Sequence, residues 1–277
     1  MNAMDSPLTD SLALCAYVAA WAVLLWTLWR SDGSTVGAKS ARLLFLIPAL
    51  TAIGLHGFSA YASLATENGP NFSFLNALSL VTLCINGVLL GASLFRPVDK
   101  LSVITLPIAA AIFTLKAVLP AESHPVQNHS WQMTLHIFSS LLAYSLLNIA
   151  ALQALLLAIQ DWRLRHHQPG GFLTRSLPSL QSMERLMFQL IASGLVLLTL
   201  SLLTGFAFMD NMFAQHLAHK TVLSLLAWLV FTVLLLGRQH YGWRGQTAIR
   251  WTLSGFVSLM LAYFGSKMVL ELILNRA

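Results

Sequence analysis

The chain has 277 residues, of which 57% are apolar and only 9% are Asp, Glu, Lys or Arg. A soluble domain carries about 25% charged residues, whereas a charge at the bilayer centre costs roughly 2.5–3.5 kcal/mol, so the composition excludes an ordinary soluble enzyme and points to lipid. The formal net charge of +6 comes with no basic patch interleaved with aromatics, which excludes nucleic acid as a partner and leaves loop residues facing anionic headgroups.

A membrane span needs roughly 20 apolar residues at about 1.5 Å each. Taken in chain order, the apolar runs predict spans over residues 11–29, 43–64, 74–95, 101–119, 131–159, 186–208, 221–236 and 252–272. The first run has no positive flank and no small-residue cleavage site, so it reads as a retained span. The expectation is an all-α, polytopic membrane protein: an eight-transmembrane-helix bundle forming one integral membrane domain over residues 1–277.

Sidedness follows from loop charge. Of the 16 Lys and Arg residues, 12 lie in loops after odd-numbered spans, among them Arg30, Arg96, Arg163, Arg185, Arg238 and Arg244. Loops after even-numbered spans hold Glu67, Glu122 and Asp210 and are nearly free of Lys and Arg. Both termini are therefore expected in the periplasm of a bacterial inner (cytoplasmic) membrane. The fourth span decides this, because its loss would reverse everything after it. The largest inward loop is expected from Asp161 to Glu184, with Pro169, Gly170 and Gly171 inside it and Ser182 capping the next helix. No second domain or repeat is evident.

Polar residues inside spans are the informative ones. His56 lies about 8 residues, roughly 12 Å, below the outer end of the second span. His136 lies about 5 residues, roughly 8 Å, inside the fifth. Four-residue spacing places Ser140, Tyr144 and Asn148 on the face of His136, a polar stripe that lipid would penalise and the bundle interior would accept. His219 stands just before the seventh span. Two imidazoles on facing helices are the usual protein ligands of a six-coordinate b-type haem, and neutral imidazole is a good iron ligand. His56 and His136 are the expected metal ligands. His219, Ser140 and Tyr144 are further candidates around the cofactor, with Ser140, Tyr144 or a backbone carbonyl orienting a ring nitrogen. The competing reading makes each histidine a helix-packing residue. No CxxCH site occurs, so the haem would be non-covalent.

The rest is less directive. Cys15 and Cys84 form no ligand spacing and read as small buried hydrophobes. Lys116 is expected to snorkel outward, and Lys267 with Glu271 forms an i,i+4 pair near the outer end of the last span. There is no HExxH, no GxSxG and no two-carboxylate site, so no catalytic residue is assigned.

Several stretches carry a resemblance: Phe74-Leu75-Asn76, Leu135-His136-Ile137, Leu180 to Phe188, Gly242-Trp243-Arg244-Gly245 and Leu261 to Lys267. With these the chain resembles the YpjD-type inner-membrane proteins, within the cytochrome c assembly superfamily that includes CcsA- and CcmC-like proteins. The resemblance implies eight spans and a haem-handling fold, with a haem ligand at the position of His136. It departs at Phe206 to Phe213, where haem-presenting relatives carry a Trp-rich WGxxWxWD pattern and this chain has no Trp. The expected function is haem binding without that presentation motif, with a membrane or periplasmic protein as partner. The alternative is a cofactor-free accessory subunit or a small-solute or ion transporter that kept the fold.

Overall fold

The computed structural model describes residues 5–30, 38–64, 73–94, 98–119, 131–166, 178–208 and 218–265. Eight α-helices follow one another: α1 Asp5–Arg30, α2 Ala38–Leu64, α3 Phe74–Ser93, α4 Ser102–Val118, α5 Trp131–Arg165, α6 Leu180–Phe208, α7 Ala218–Tyr241 and α8 Gln246–Met260. A 3-10 turn, Asp99–Leu101, leads into α4, and a π turn, Leu261–Gly265, follows α8. No strand occurs among the described residues.

Six of these helices are long and apolar enough to cross a membrane: α1, α2, α3, α5, α6 and α7. The fourth expected span is helical but shorter, and the eighth is helical over its described residues. α4 has 17 residues. Pro107 lies inside it, and Leu119 turns to an extended φ of −93° and ψ of 121°, as the residue before a proline must. α8 has 15 residues, and the remainder of the expected 252–272 span lies partly outside the described residues.

The loop expected from Asp161 to Glu184 is narrower than its sequence suggested. α5 runs on to Arg165 and α6 begins at Leu180. The capping residue is Ser179 rather than Ser182: the Ser182 backbone N–H donates to Ser179 Oγ at 3.4 Å. A serine immediately before the helix can reach the third helical N–H, whereas Ser182 is already inside the first turn.

The chain divides into two compact units, Met1–Gln127 and Asn128–Ala277. In the first, α1 packs on α2 and α4, and α3 packs on both α2 and α4. Its apolar core gathers Tyr17, Ala20, Leu24, Phe45, Ala49, Ala52 and Leu106. Small residues on α1 and α2 let the backbones come close, the usual device where lipid offers no hydrophobic drive between helices. In the second unit α5 lies along α6 and α8, and α7 packs on α8 and α6. Several helices keep an exposed apolar face that lipid would cover, such as Leu12 and Val18 on α1 or Leu203 and Phe206 on α6. Cys15 lies on that exposed face of α1 rather than in a core, while Cys84 is half-buried.

Candidate functional site

In the first unit His56 is fully buried, and both of its ring nitrogens are taken. Nδ1 lies 2.8 Å from the Tyr17 hydroxyl on α1, and Nε2 lies 2.8 Å from Ser79 Oγ on α3. The Phe113 ring of α4 meets the imidazole edge-on at 4.5 Å between centroids. One residue of α2 thus touches all three neighbouring helices.

A turn nearer the end of the unit, Ser59 donates to Asp10 Oδ1, and Lys116 Nζ donates to Ser63 Oγ at 2.7 Å. Lys116 is thereby hydrogen-bonded within the unit, at the end of α2, which offers it a hydroxyl partner. Deeper along α3, Thr105 Oγ1 donates to Asn86 Oδ1 at 2.9 Å, and Asn86 Nδ2 donates to Thr82 O. Asn76, Ser79, Thr82, Asn86 and Ser93 form one buried polar face of α3.

In the second unit His136 of α5 is half-buried. Its Nδ1 lies 2.9 Å from the Ser201 carbonyl oxygen of α6, with Thr204 Oγ1 at 3.4 Å. A carbonyl only accepts, so Nδ1 carries the proton and the neutral ring keeps its lone pair on Nε2. Nε2 has no hydrogen-bond partner among the described residues. A metal-ligating histidine commonly holds its other ring nitrogen in this way, and so does one that only joins two helices.

The stripe below His136 turns inward: Tyr144 is buried, Ser140 and Asn148 are half-buried, and Leu135 and Phe138 are exposed. Ser140 Oγ donates to its own helix at Ile137 O, 2.8 Å away. The Tyr144 hydroxyl donates to Met260 Sδ of α8, with Phe256 and Tyr263 rings at 6.5 and 6.3 Å. Of the three orienting groups expected beside His136, the carbonyl is the one in contact. His219 is exposed at the start of α7. His124, His129, His216, Lys267 and Glu271 lie outside the described residues.

Tyr17, Ser79, Ser201 and Thr204 were missed as partners of the two histidines. Ser79 had a readable signal, the buried polar spacing of α3. Ser201 had none, because it acts through its backbone. Among the described residues no group of three or more His, Cys, Asp or Glu is placed to hold a bare metal ion.

Residues 43–274 match the family described as Cytochrome C assembly protein. The chain belongs to that family. It is 36% identical to inner membrane protein YpjD of Escherichia coli (strain K12) over 269 residues, covering 96% of this chain and 99% of the relative. It is 22% identical over 286 residues to cytochrome c biogenesis protein CcsA of Gloeobacter violaceus, covering 83% of this chain and 82% of that protein. CcsA of Prochlorococcus marinus is 28% identical over 191 residues, 61% of each chain. No solved structure matches the chain. Together with its apolar helices, the full-length likeness to an inner membrane protein makes this cytochrome C assembly family member a multi-pass protein of the bacterial inner membrane.

Proposed function

We propose that the protein binds haem b non-covalently within the membrane, with His136 Nε2 as the residue that would hold its iron. The observation that carries this reading is the Nδ1 contact to Ser201 O at 2.9 Å, which orients the ring and leaves Nε2 unpartnered. Bound haem would supply an iron centre able to change oxidation state. The chain's own part is to orient the imidazole through the Ser201 carbonyl and to wall the ring with apolar side chains of α5 and α6. The family and the CcsA relatives, named for cytochrome c biogenesis, support a haem-related role.

His56 is kept as a ligand candidate as well. It would have to exchange the Ser79 hydroxyl for iron. His219, exposed on α7, makes no such demand. Ser140 and Tyr144 belong to the proposal as residues of the same α5 face. The partner is a membrane or periplasmic protein, and the topology is eight spans with both termini periplasmic. The Lys and Arg bias of the loops supports that topology.

A second reading, a cofactor-free accessory or transport subunit, is favoured by the continuous buried polar face of α3. Absorption spectra separate the two. The protein purified in mild detergent, oxidised and then reduced, is expected to show a stoichiometric Soret band that shifts on reduction. His136→Ala loses the band and recovers it with added imidazole, while His56→Ala and His219→Ala identify the second ligand. A colourless protein after growth with added haem precursor sinks the haem reading.

A further inference from the structure

At the end of the second unit where α6 begins and α7 ends, Arg238 has Arg185, Arg244 and Glu184 near it. Arg238 of α7 places its guanidinium carbon 3.6 Å above the centroid of the Phe188 ring of α6. Its Nη1 is shielded from solvent and has no hydrogen-bond partner. Arg185, Arg244 and Glu184 lie near enough to act on it electrostatically. The Glu184 carboxylate accepts the Gly245 backbone N–H at 3.2 Å. No side chain of the three arginines makes a hydrogen bond or an ion pair among the described residues.

A basic residue present only to set topology extends its charge into water or the headgroups. Arg238 does the opposite: it is folded back on an aromatic ring, with one donor withdrawn from solvent. A buried unpaired donor is costly, the more so when charged. Three guanidiniums beside one carboxylate also repel one another. Both costs disappear when an anion bridges them.

The site is held rigidly as well. Gly242 and Gly245 take φ of 64° and 59°, values open to glycine, and the Trp243 N–H donates to Gly237 O at 3.2 Å. Trp243 packs against Trp251 at 5.3 Å. The backbone of Arg244 is thus fixed between two anchored turns, so its side chain alone is ordered on binding.

We infer that Arg185, Arg238 and Arg244 form a binding site for a phosphate group, supplied either by the headgroup of an anionic phospholipid or as free phosphate. Planar guanidinium forks match phosphate oxygens two at a time. The excess of positive charge over Glu184 suits a phosphate better than a single carboxylate. The inference does not depend on haem.

Thermal unfolding of the full chain in mild detergent tests it, with phosphatidylglycerol, phosphatidylcholine, inorganic phosphate or acetate added. Saturable stabilisation is expected from phosphatidylglycerol alone if the headgroup is the ligand, and from inorganic phosphate as well if the free ion is. Arg185→Gln and Arg244→Gln, both on exposed side chains, are expected to weaken the apparent affinity about tenfold or more. Arg238→Lys keeps the charge, loses the fork and weakens it likewise. Arg250→Gln, exposed elsewhere on α8, leaves it unchanged. No stabilisation by phosphatidylglycerol or phosphate, or an equal loss in Arg250→Gln, overturns the site in favour of diffuse surface attraction.

Discussion

At Gly237 the packing leaves no room for a side chain. A Cβ there would sit 2.3 Å from Trp243 Cε3, with two further ring carbons at 2.5 and 2.7 Å. Gly→Ala inside a helix ordinarily gains about 0.5–1 kcal/mol. Here overpacking costs about 1–3 kcal/mol, and the rigid indole cannot swing aside like an aliphatic chain. Gly237→Ala is therefore expected to lower the unfolding midpoint in detergent, and an unchanged or raised midpoint would show that Trp243 is not held there. The same scale separates the two histidines. Both were legible in the sequence as intramembrane imidazoles. Their hydrogen bonds were not, because His56 is bound by side chains 39 and 23 residues away and His136 by a carbonyl 65 residues away. A main-chain oxygen leaves no mark on residue identity.

Among the elements, α3 shows how polar residues are used where lipid forbids stray donors. Its buried face bonds to α2 through Ser79 and to α4 through Asn86. Interhelical hydrogen bonds in membranes average about 0.6 kcal/mol and reach about 1.7. A double-mutant cycle of Asn86→Ala and Thr105→Val, read by unfolding in mixed detergent, is expected to return a coupling in that range, and no coupling would make the contact incidental. The interiors of all eight helices were readable from apolar runs, since hydropathy reports burial in lipid directly. Their ends were not. α5 and α6 continue past the apolar stretch because polar residues outside the bilayer remain good helix formers. α4, at 17 residues, spans only about 26 Å against a hydrocarbon core of about 30 Å.

For the molecule as a whole, topology rests on whether α4 crosses. Of the 16 basic residues, 12 lie in loops after odd-numbered spans. Reporter fusions are expected to give active alkaline phosphatase after Leu64 and after Phe208, and fluorescent cytoplasmic protein after Arg165 and Tyr241. Active phosphatase after Arg165 would mean that α4 does not cross and that the C-terminal half is inverted. The division into two units was not readable, because apolar periodicity marks which faces are buried and not which helices bury them. The wiring of the first unit also bears on the order in which the chain is made. Asp10 and Tyr17 on α1 bond to Ser59 and His56, 49 and 39 residues downstream. At about 5–20 residues per second, those partners leave the ribosome roughly 2–10 s later. The newborn helix must wait in the membrane for that time with its acid and phenol unmatched. Asp10, five residues from the start of α1, waits close to water, and the residue held deeper is the uncharged tyrosine.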